Sequence, residues 1–218
     1  MKYIFSSVFY LWCLFSYSQI NSQIRIGKQV WMLKNLNTDK FRNGDLIPEA
    51  KTKEEWVFAN ENMQPAWCYY DNNPANGKKY GKLYNWYAVN DSRGLAPIGW
   101  HIPSDEEWTT LVKNVGDQTG LKMKSQSGWN AFKENGDKMS SGNGTNSSGF
   151  LGLPGGFRVM NGIFAKLGDY GSWWSSTEDN QLASRNDAWR RSLLKTHSSM
   201  PRTCTSKREG LSVRCVKD

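Results

Sequence analysis

A chain of 218 residues is long enough for one domain with a sizeable core, which excludes dependence on metals or many cross-links for folding. Only 38% of the residues are hydrophobic, but 11 Trp, 9 Tyr, 9 Phe and 20 Gly favour short strands, long connections and a core built on aromatic rings. The formal net charge of +8 favours an anionic partner.

The N-terminal 18 residues are typical of a secretory signal peptide. Residues 3–15 form an apolar run, and small residues fit a cut after Ser18, with a cut after Ser22 as the alternative. Cys13 follows a tryptophan, which disfavours a lipoprotein site. We therefore expect a mature chain without a transmembrane span, in the periplasm, at the cell surface or in the medium, and no intracellular nucleic acid partner.

The first elements of the mature chain are a hairpin and a short helix. Residues 24–36 begin with the alternation of apolar and polar residues that predicts a strand or hairpin. Thr52 and Glu55 have the spacing of a capping box, which predicts a short helix carrying Trp56. The segments AWCYY and LYNWYAV are apolar on most sides, so both are expected to be buried.

Three consecutive acidic residues follow Ser104 and pose a choice between a catalytic cluster and the start of a helix. Ser104 and Glu107 again have the spacing of a capping box, and acidic residues are stabilised in the first turn by the helix dipole. An apolar stripe follows at i, i+3, i+4 and i+7: Trp108, Leu111, Val112 and Val115. The pattern therefore predicts a helix and not a catalytic site.

Five late segments predict short strands separated by turns: FLGLPGGFRV, GIFAKLG, GSWWSSTE, NDAWRRSLL and GLSVRCV. In a strand, Trp173 and Trp174 point to opposite faces, so at least one of them belongs to the core. Exposed indole rings stack on sugars, and arginine binds acidic groups. We therefore expect a ligand site among Trp173, Trp174, Trp189 and Arg190.

Basic residues gather late in the chain: Arg185, Arg190, Arg191, Lys195, Arg202, Lys207, Arg208 and Arg214. They favour an anionic glycan, lipopolysaccharide or extracellular DNA as partner, and the alternative is a solvated basic surface.

One acidic run offers oxygen ligands for a metal ion. Glu178, Asp179 and Asn180 are a candidate calcium site, with a polar turn between strands as the alternative. No other cofactor is expected. The two histidines, His101 and His197, are too far apart for a recognisable zinc motif, and His101 is expected to be a structural hydrogen-bonding residue.

Removal of the signal peptide leaves Cys68, Cys204 and Cys215, so one disulfide and one free thiol are expected in an oxidising compartment. A Cys204–Cys215 bond closes a short loop. A Cys68–Cys215 bond closes a long one, which the entropic model of disulfide stabilisation favours.

Seven blocks occur in a fixed order: IGKQVWMLKNL, AWCYYDN, YGKLYNWYAV, GWHIPSDEEWTTL, GTNSSGFLGLPGGFR, WWSSTE and GLSVRCVKD. Together they closely resemble the Fibrobacter succinogenes major paralogous domain family of secreted and surface proteins from Bacteroidota and Fibrobacterota. The resemblance implies that residues 24–218 form a single such domain.

The resemblance also implies a fold. The family is similar to the C-type-lectin-like group that includes formylglycine-generating enzymes. An α+β fold with short, mostly antiparallel strands, two or three short helices and long loops is therefore expected. In the family, cysteines sit in AWCYY and SVRC, which implies a Cys68–Cys215 disulfide and leaves Cys204 as an addition. The copper-dependent activity of those enzymes is not implied, because it needs a pair of late cysteines and Cys215 is assigned to the disulfide.

These observations favour a secreted or cell-surface binding module without catalysis, for a glycan or another anionic extracellular polymer. The alternatives are an enzyme, either an oxidase related to formylglycine-generating enzymes or a hydrolase, and a structural or adhesive component of the cell envelope.

Overall fold

The computed structural model describes residues 22–134, 136–180 and 186–218, so the expected signal peptide lies outside the described residues. The described helices are short: α1 (Lys53–Glu61), α2 (Pro74–Tyr80), α3 (Trp86–Val89), α4 (Asp105–Val115) and α5 (Thr119–Met123). Five helices exceed the two or three expected, because three of them have seven residues or fewer and are too short to show an apolar period. Within the described ranges, every helix is too short or too polar to span a bilayer.

The strands form two main sheets. A four-stranded sheet contains, in spatial order, β1 (Gln23–Ile26), β2 (Gln29–Met32), β13 (Val216–Lys217) and β5 (Trp100–His101). A five-stranded sheet contains β12 (Arg202–Ser206), β11 (Asp187–Leu194), β10 (Tyr170–Glu178), β8 (Gly155–Arg158) and β9 (Phe164–Leu167). Two small antiparallel pairs join β3 (Trp67–Cys68) to β4 (Leu83–Tyr84), and β6 (Phe132–Lys133) to β7 (Met139–Ser140).

The pairing is mostly antiparallel, as expected for an α+β fold, and only β8 and β10 run parallel within the described sheets. The predicted hairpin of β1 and β2 is confirmed, with Gln23 opposite Met32. Strand β12 was not predicted. It is an edge strand with the sequence RTCTS, and its polar residues lack the apolar alternation by which strands are recognised.

The acidic run at Asp105 begins a helix, as predicted. The Ser104 hydroxyl accepts the backbone N–H of Glu107 at 3.2 Å, and the Glu107 carboxylate accepts the backbone N–H of Ser104 at 2.8 Å. Trp108 and Leu111 of the predicted apolar stripe are fully buried. The capping box at Thr52 is also confirmed.

The core is organised by indole rings on both faces of β10. Trp173 packs with its ring centre 5.6 Å from that of Phe150 and 6.4 Å from that of Trp108. Trp174 points the other way, into a second cluster with Tyr84. Alternation therefore places the two rings on opposite faces, but both faces are covered and both rings are 0% exposed. Neither ring presents a surface to a ligand, which corrects the expectation that one of them faces solvent.

Buried cations bind the carbonyl groups that the long loops leave unpaired. The Arg158 guanidinium donates to the carbonyl oxygens of Ala50 at 2.7 Å and Thr52 at 2.8 Å. The Lys124 ammonium donates to three carbonyl oxygens within residues 194–197, at distances of 3.1–3.3 Å. Because a buried carbonyl without a donor costs about 1–3 kcal/mol, these side chains stabilise the loops directly.

The expected Cys68–Cys215 disulfide is absent, and Cys68, Cys204 and Cys215 are free thiols. Cys68 packs in the cluster around Trp56, whereas Cys215 packs in a separate cluster. Burial raises the pKa of each of these two thiols to about 12. Both therefore act as small apolar core residues in their protonated form.

Candidate functional site

The four residues expected to bind a ligand do not meet at one surface. Trp189 and Arg190 are neighbours in β11 and therefore point to opposite faces of the sheet. The Arg202 guanidinium lies 3.3 Å from the centre of the Trp189 ring and covers one of its faces. The Arg190 guanidinium donates to Glu209 at 3.3 Å and to a threonine hydroxyl at 3.2 Å. With Trp173 and Trp174 in the core, this region is part of the scaffold.

The late basic residues are also used inside the fold. Their described ion pairs are Arg190–Glu209, Arg191–Asp105, Lys195–Asp169, Arg202–Asp105 and Lys207–Glu178. Arg214 is fully buried, and Arg185 lies outside the described residues. A cation that already binds a carboxylate contributes little attraction to an external anion. The late cluster is therefore a poor candidate for an anion-binding surface.

The three residues considered for calcium have different surroundings. Glu178 is exposed and binds the Lys207 ammonium, while Asp179 is buried and lies beside Cys204. Asn180 is exposed. Burial, followed by the hydrogen bond and the charge of Asp179, raises the pKa of Cys204. No group of three or more His, Cys, Asp or Glu side chains among the described residues has a metal-binding arrangement.

A groove on the opposite part of the protein has the features of a binding site. Its central cavity has a volume of about 430 Å³, in the range of small-ligand pockets, and lies beside the four-stranded sheet. Half-buried Trp100 and 83%-exposed Ile98 give it an apolar wall. Exposed Lys34, Asn37 and Lys217 supply its polar groups. Among the described residues, no aspartate or glutamate lines this cavity.

Two further cavities adjoin the central one. A cleft of about 270 Å³ between residues 33–37 and α2 shares Lys34 and Asn37 with it and adds Lys78 and Lys79. On the other side, a cavity of about 460 Å³ shares Lys217 and adds basic and acidic side chains, among them Arg25, Lys28 and Glu107. We call these three adjoining cavities the lysine groove. Its shape suits an extended ligand, with an indole ring in the middle and ammonium groups on both sides.

At one end of the lysine groove, the carboxylates of Glu107 and Asp218 are bound by a histidine of the protein itself. His101 Nε2 lies 2.7 Å from Glu107, and His101 Nδ1 lies 2.7 Å from Asp218. Burial lowers the pKa of His101, but the hydrogen bonds and charges of the two carboxylates outweigh burial, so the pKa is raised overall. His101 is therefore a structural hydrogen-bonding residue, as predicted from the sequence. Both carboxylates are partly neutralised by it when it is protonated.

The wall of the lysine groove is fixed by residues of the core. Asn35 is buried directly under it, and its side-chain oxygen accepts the Trp173 indole N–H at 2.8 Å and the Arg214 guanidinium at 2.7 Å. Its side-chain amide donates to the carbonyl oxygen of Tyr80 at 2.8 Å. Trp173, expected to touch a ligand, therefore supports from below the loop that carries Lys34.

The residues of the groove were missed because they are far apart in the sequence. Lys34, Lys78 and Lys217 come from three segments that each looked like ordinary polar surface. The one local signal is Trp100, which follows a glycine and lies outside the apolar stripe of α4. A tryptophan that lies outside any periodic apolar pattern is a candidate for a position at the protein surface.

The comparisons with known proteins agree with the resemblance seen in the sequence. The family model described as the Fibrobacter succinogenes major domain matches residues 24–217. Searches of curated proteins and of solved structures found no match. The C-type-lectin-like architecture stays a prediction, while the α+β class is observed directly in the helices and sheets.

Proposed function

From the premise that the chain belongs to the Fibrobacter succinogenes major domain family, we propose that it is a non-catalytic binding module for an extracellular glycan polymer, exported to the cell envelope or the medium. The observation that carries the proposal is the lysine groove, in which Trp100 lies between two sets of basic side chains. The apolar N-terminal run supports export, because it has the length and flanks of a signal peptide.

The chemistry of the groove suits a sugar chain. An indole ring offers a flat apolar surface to the C–H face of a sugar, and Ile98 and Leu151 add exposed apolar surface in neighbouring cavities. The Asn37 amide can both donate to and accept from sugar hydroxyls. The hydrogen bonds of Asn35 keep the groove wall ordered before a ligand binds, which lowers the entropic cost of binding.

The oxidase alternative has less support. Such an activity needs a pair of late cysteines as thiolates beside a metal ion, but burial raises the pKa of both Cys204 and Cys215 and favours their protonated forms. Asp179, the neighbour of Cys204, repels a thiolate. The proposal of a binding module therefore depends on the groove and not on the late cysteine.

The test is a glycan array followed by calorimetry, each with calcium and with EDTA. Trp100→Ala is expected to weaken binding of the best ligand about tenfold or more, which corresponds to 1.4 kcal/mol. Trp189→Ala is the matched control, because it removes a half-buried tryptophan of the same size outside the groove. Each variant is first checked by thermal melting, and Trp100→Phe keeps a ring at the site if the alanine variant is unstable.

Two results would overturn the proposal. One is the absence of binding to every polymer on the array, and the other is loss of binding in Trp189→Ala with full binding in Trp100→Ala. Dependence on calcium in the wild-type protein would direct attention back to Glu178 and its neighbours.

A further inference from the structure

The cleft between residues 33–37 and α2 has a composition suited to acidic groups. Lys34 lies on one wall, and Lys78 and Lys79 lie on the other. No aspartate or glutamate of the part of the chain that the structure describes lines this cleft. We propose that the cleft selects carboxylate or sulfate groups, so that the ligand of the lysine groove is an acidic polysaccharide. This inference rests on the proposed function and specifies its ligand.

The three ammonium groups lie at the protein surface, and that of Lys79 also lies 4.8 Å from the centre of the Tyr80 ring. Lys34, Lys78 and Lys79 are exposed, and none of them takes part in an ion pair among the described residues. The late basic residues differ in this respect, because most of them bind a carboxylate of the protein itself. The cleft therefore presents exposed positive charge without an ion-pair partner among the described residues, and such charge can attract an external anion.

A purely structural role explains only part of this arrangement. Lys78 and Lys79 occupy the last turn of α2, where the helix dipole favours cations by about 0.3–1 kcal/mol. Lys34 belongs to a loop, so a place in the last turn of the helix does not explain it. Its position on the opposite wall adds a third like charge to the cleft, which costs energy unless an anion compensates.

The backbone holds the two walls close together. Gly81, with φ of 79°, ends α2 next to the loop, and a Cβ atom at this position would lie 2.8 Å from the Leu36 carbonyl oxygen. The Lys82 backbone N–H donates to the same carbonyl at 3.1 Å. Asn35 adds its bond to Tyr80 at the end of α2. The lysines are therefore carried on fixed elements, and an anion does not have to assemble the site.

Continuity with the central cavity points to a polymer instead of a small anion. Lys34 and Asn37 line both cavities, so a sugar on Trp100 is followed along the groove by the cleft. Lys217 supplies a further cation beside Trp100. Cations spaced along a groove match a chain that carries an acidic group on successive sugars.

A polysaccharide fits this groove better than a nucleic acid does. Proteins that bind single strands use several aromatic platforms, one for each of successive bases. Among the described residues, Trp100 is the single tryptophan that lines the lysine groove. Arginine is favoured for bidentate binding of phosphate, but the described residues of the cleft include three lysines and no arginine.

The experiment compares acidic polysaccharides with neutral partners of the same backbone. Polygalacturonate is paired with its methyl ester, alginate with its carboxyl-reduced form, and chondroitin sulfate with its desulfated, carboxyl-reduced form. We expect at least one acidic polymer to bind about tenfold or more tightly than its neutral partner. Lys34→Gln is expected to weaken that binding about two- to fivefold, as for an exposed charge pair, and Lys78→Gln with Lys79→Gln to weaken it further.

The matched control is Lys133→Gln with Lys138→Gln. These exposed lysines belong to the β6–β7 hairpin, outside the groove. Replacing both lowers the net charge by the same amount as the double substitution in α2. The control is expected to bind as the wild-type protein does. A loss of affinity equal to that of the cleft variants would mean that net charge, and not the cleft, attracts the polymer.

The outcomes separate this inference from the proposed function. Equal binding of acidic and neutral partners through Trp100 would overturn the acidic selectivity and leave the glycan-binding module standing. Binding to no polysaccharide would overturn both. Tighter binding to single-stranded oligo-dT, lost in the cleft variants, would assign the groove to nucleic acid and overturn the inference.

Discussion

Replacing Asp105 by asparagine tests whether the acidic run is structural. Asp105 Oδ1 binds Arg191 at 2.8 Å, and its other oxygen binds Arg202 at 2.7 Å. The Asp105 and Arg191 side chains are only 13% and 5% exposed. Burial lowers the pKa of Arg191, although Asp105 acts against this shift. Asp105→Asn therefore leaves a charged guanidinium in the interior without a counter-ion.

The expected loss is set by the environment of Arg191. Removing one partner of a buried ion pair costs about 3–5 kcal/mol. The backbone carbonyl of Asp105 and the Thr109 hydroxyl still accept from Arg191, at 3.1 and 2.7 Å, and asparagine keeps one oxygen. We therefore expect a loss near the lower end, about 3 kcal/mol. At about 2–4 °C per kcal/mol for a domain of this size, Tm falls by about 6–12 °C.

The assay is urea unfolding followed by far-UV circular dichroism, with Asp137→Asn as control. Asp137 and Lys133 form an ion pair at 3.0 Å but are 97% and 65% exposed, so its loss is expected to change the free energy of unfolding by less than about 0.5 kcal/mol. Equal effects of the two substitutions would refute the reasoning. A second check is Asp105→Asn with Arg191→Met, which removes the uncompensated charge and is expected to be more stable than Asp105→Asn alone.

Three further predictions concern the cap, the histidine and the thiols. Ser104→Ala is expected to lower the free energy of unfolding by about 1 kcal/mol, measured by urea unfolding, and Ser104→Asp to retain most of the stability. Because the pKa of His101 is raised on folding, its contribution is complete below pH about 6.5 and is lost as the pH rises through the folded-state pKa. Because the His101 side chain is 40% exposed, we expect its pH-dependent contribution to the free energy of unfolding to be less than about 1 kcal/mol. His101→Gln should remove this contribution, and a pH profile equal to that of the wild-type protein would contradict the assignment. Finally, alkylation after denaturation without a reductant should label Cys68, Cys204 and Cys215, whereas in the native state Cys204 should react first. A mass showing that Cys68 and Cys215 are unlabelled would indicate a disulfide between them.

Local patterns in the sequence were sufficient for elements that depend on local interactions. The capping boxes at Thr52 and Ser104 and the β1–β2 hairpin each involve residues within a few positions of one another. The end of α4 at Gly116, with φ of 75°, is equally local, because glycine readily adopts the positive φ that ends a helix. Helices shorter than two turns and the polar edge strand β12 carry no such periodic signal, so they were not predicted.

The lysine groove depends on contacts that no local pattern reveals. Trp173 and Asn35 are 138 positions apart, and Arg214 and Asn35 are 179 positions apart, yet the three side chains meet under the groove. Alternation correctly placed Trp173 and Trp174 on opposite faces of β10. It could not indicate that α4 covers one face and the segment around Leu211 the other.

The same reasoning explains why the distribution of basic residues along the sequence does not show where unpaired charge lies in the fold. The late arginines and lysines are dense in the sequence, but carboxylates from distant segments, such as Asp105 on α4, bind them in the fold. The early lysines are sparse in the sequence, but the fold gathers Lys34 and Lys78 around one cleft that no carboxylate of the described ranges lines. An external anion responds to unpaired charge, so the sites to test are those where folding brings cations together and leaves them without acidic partners.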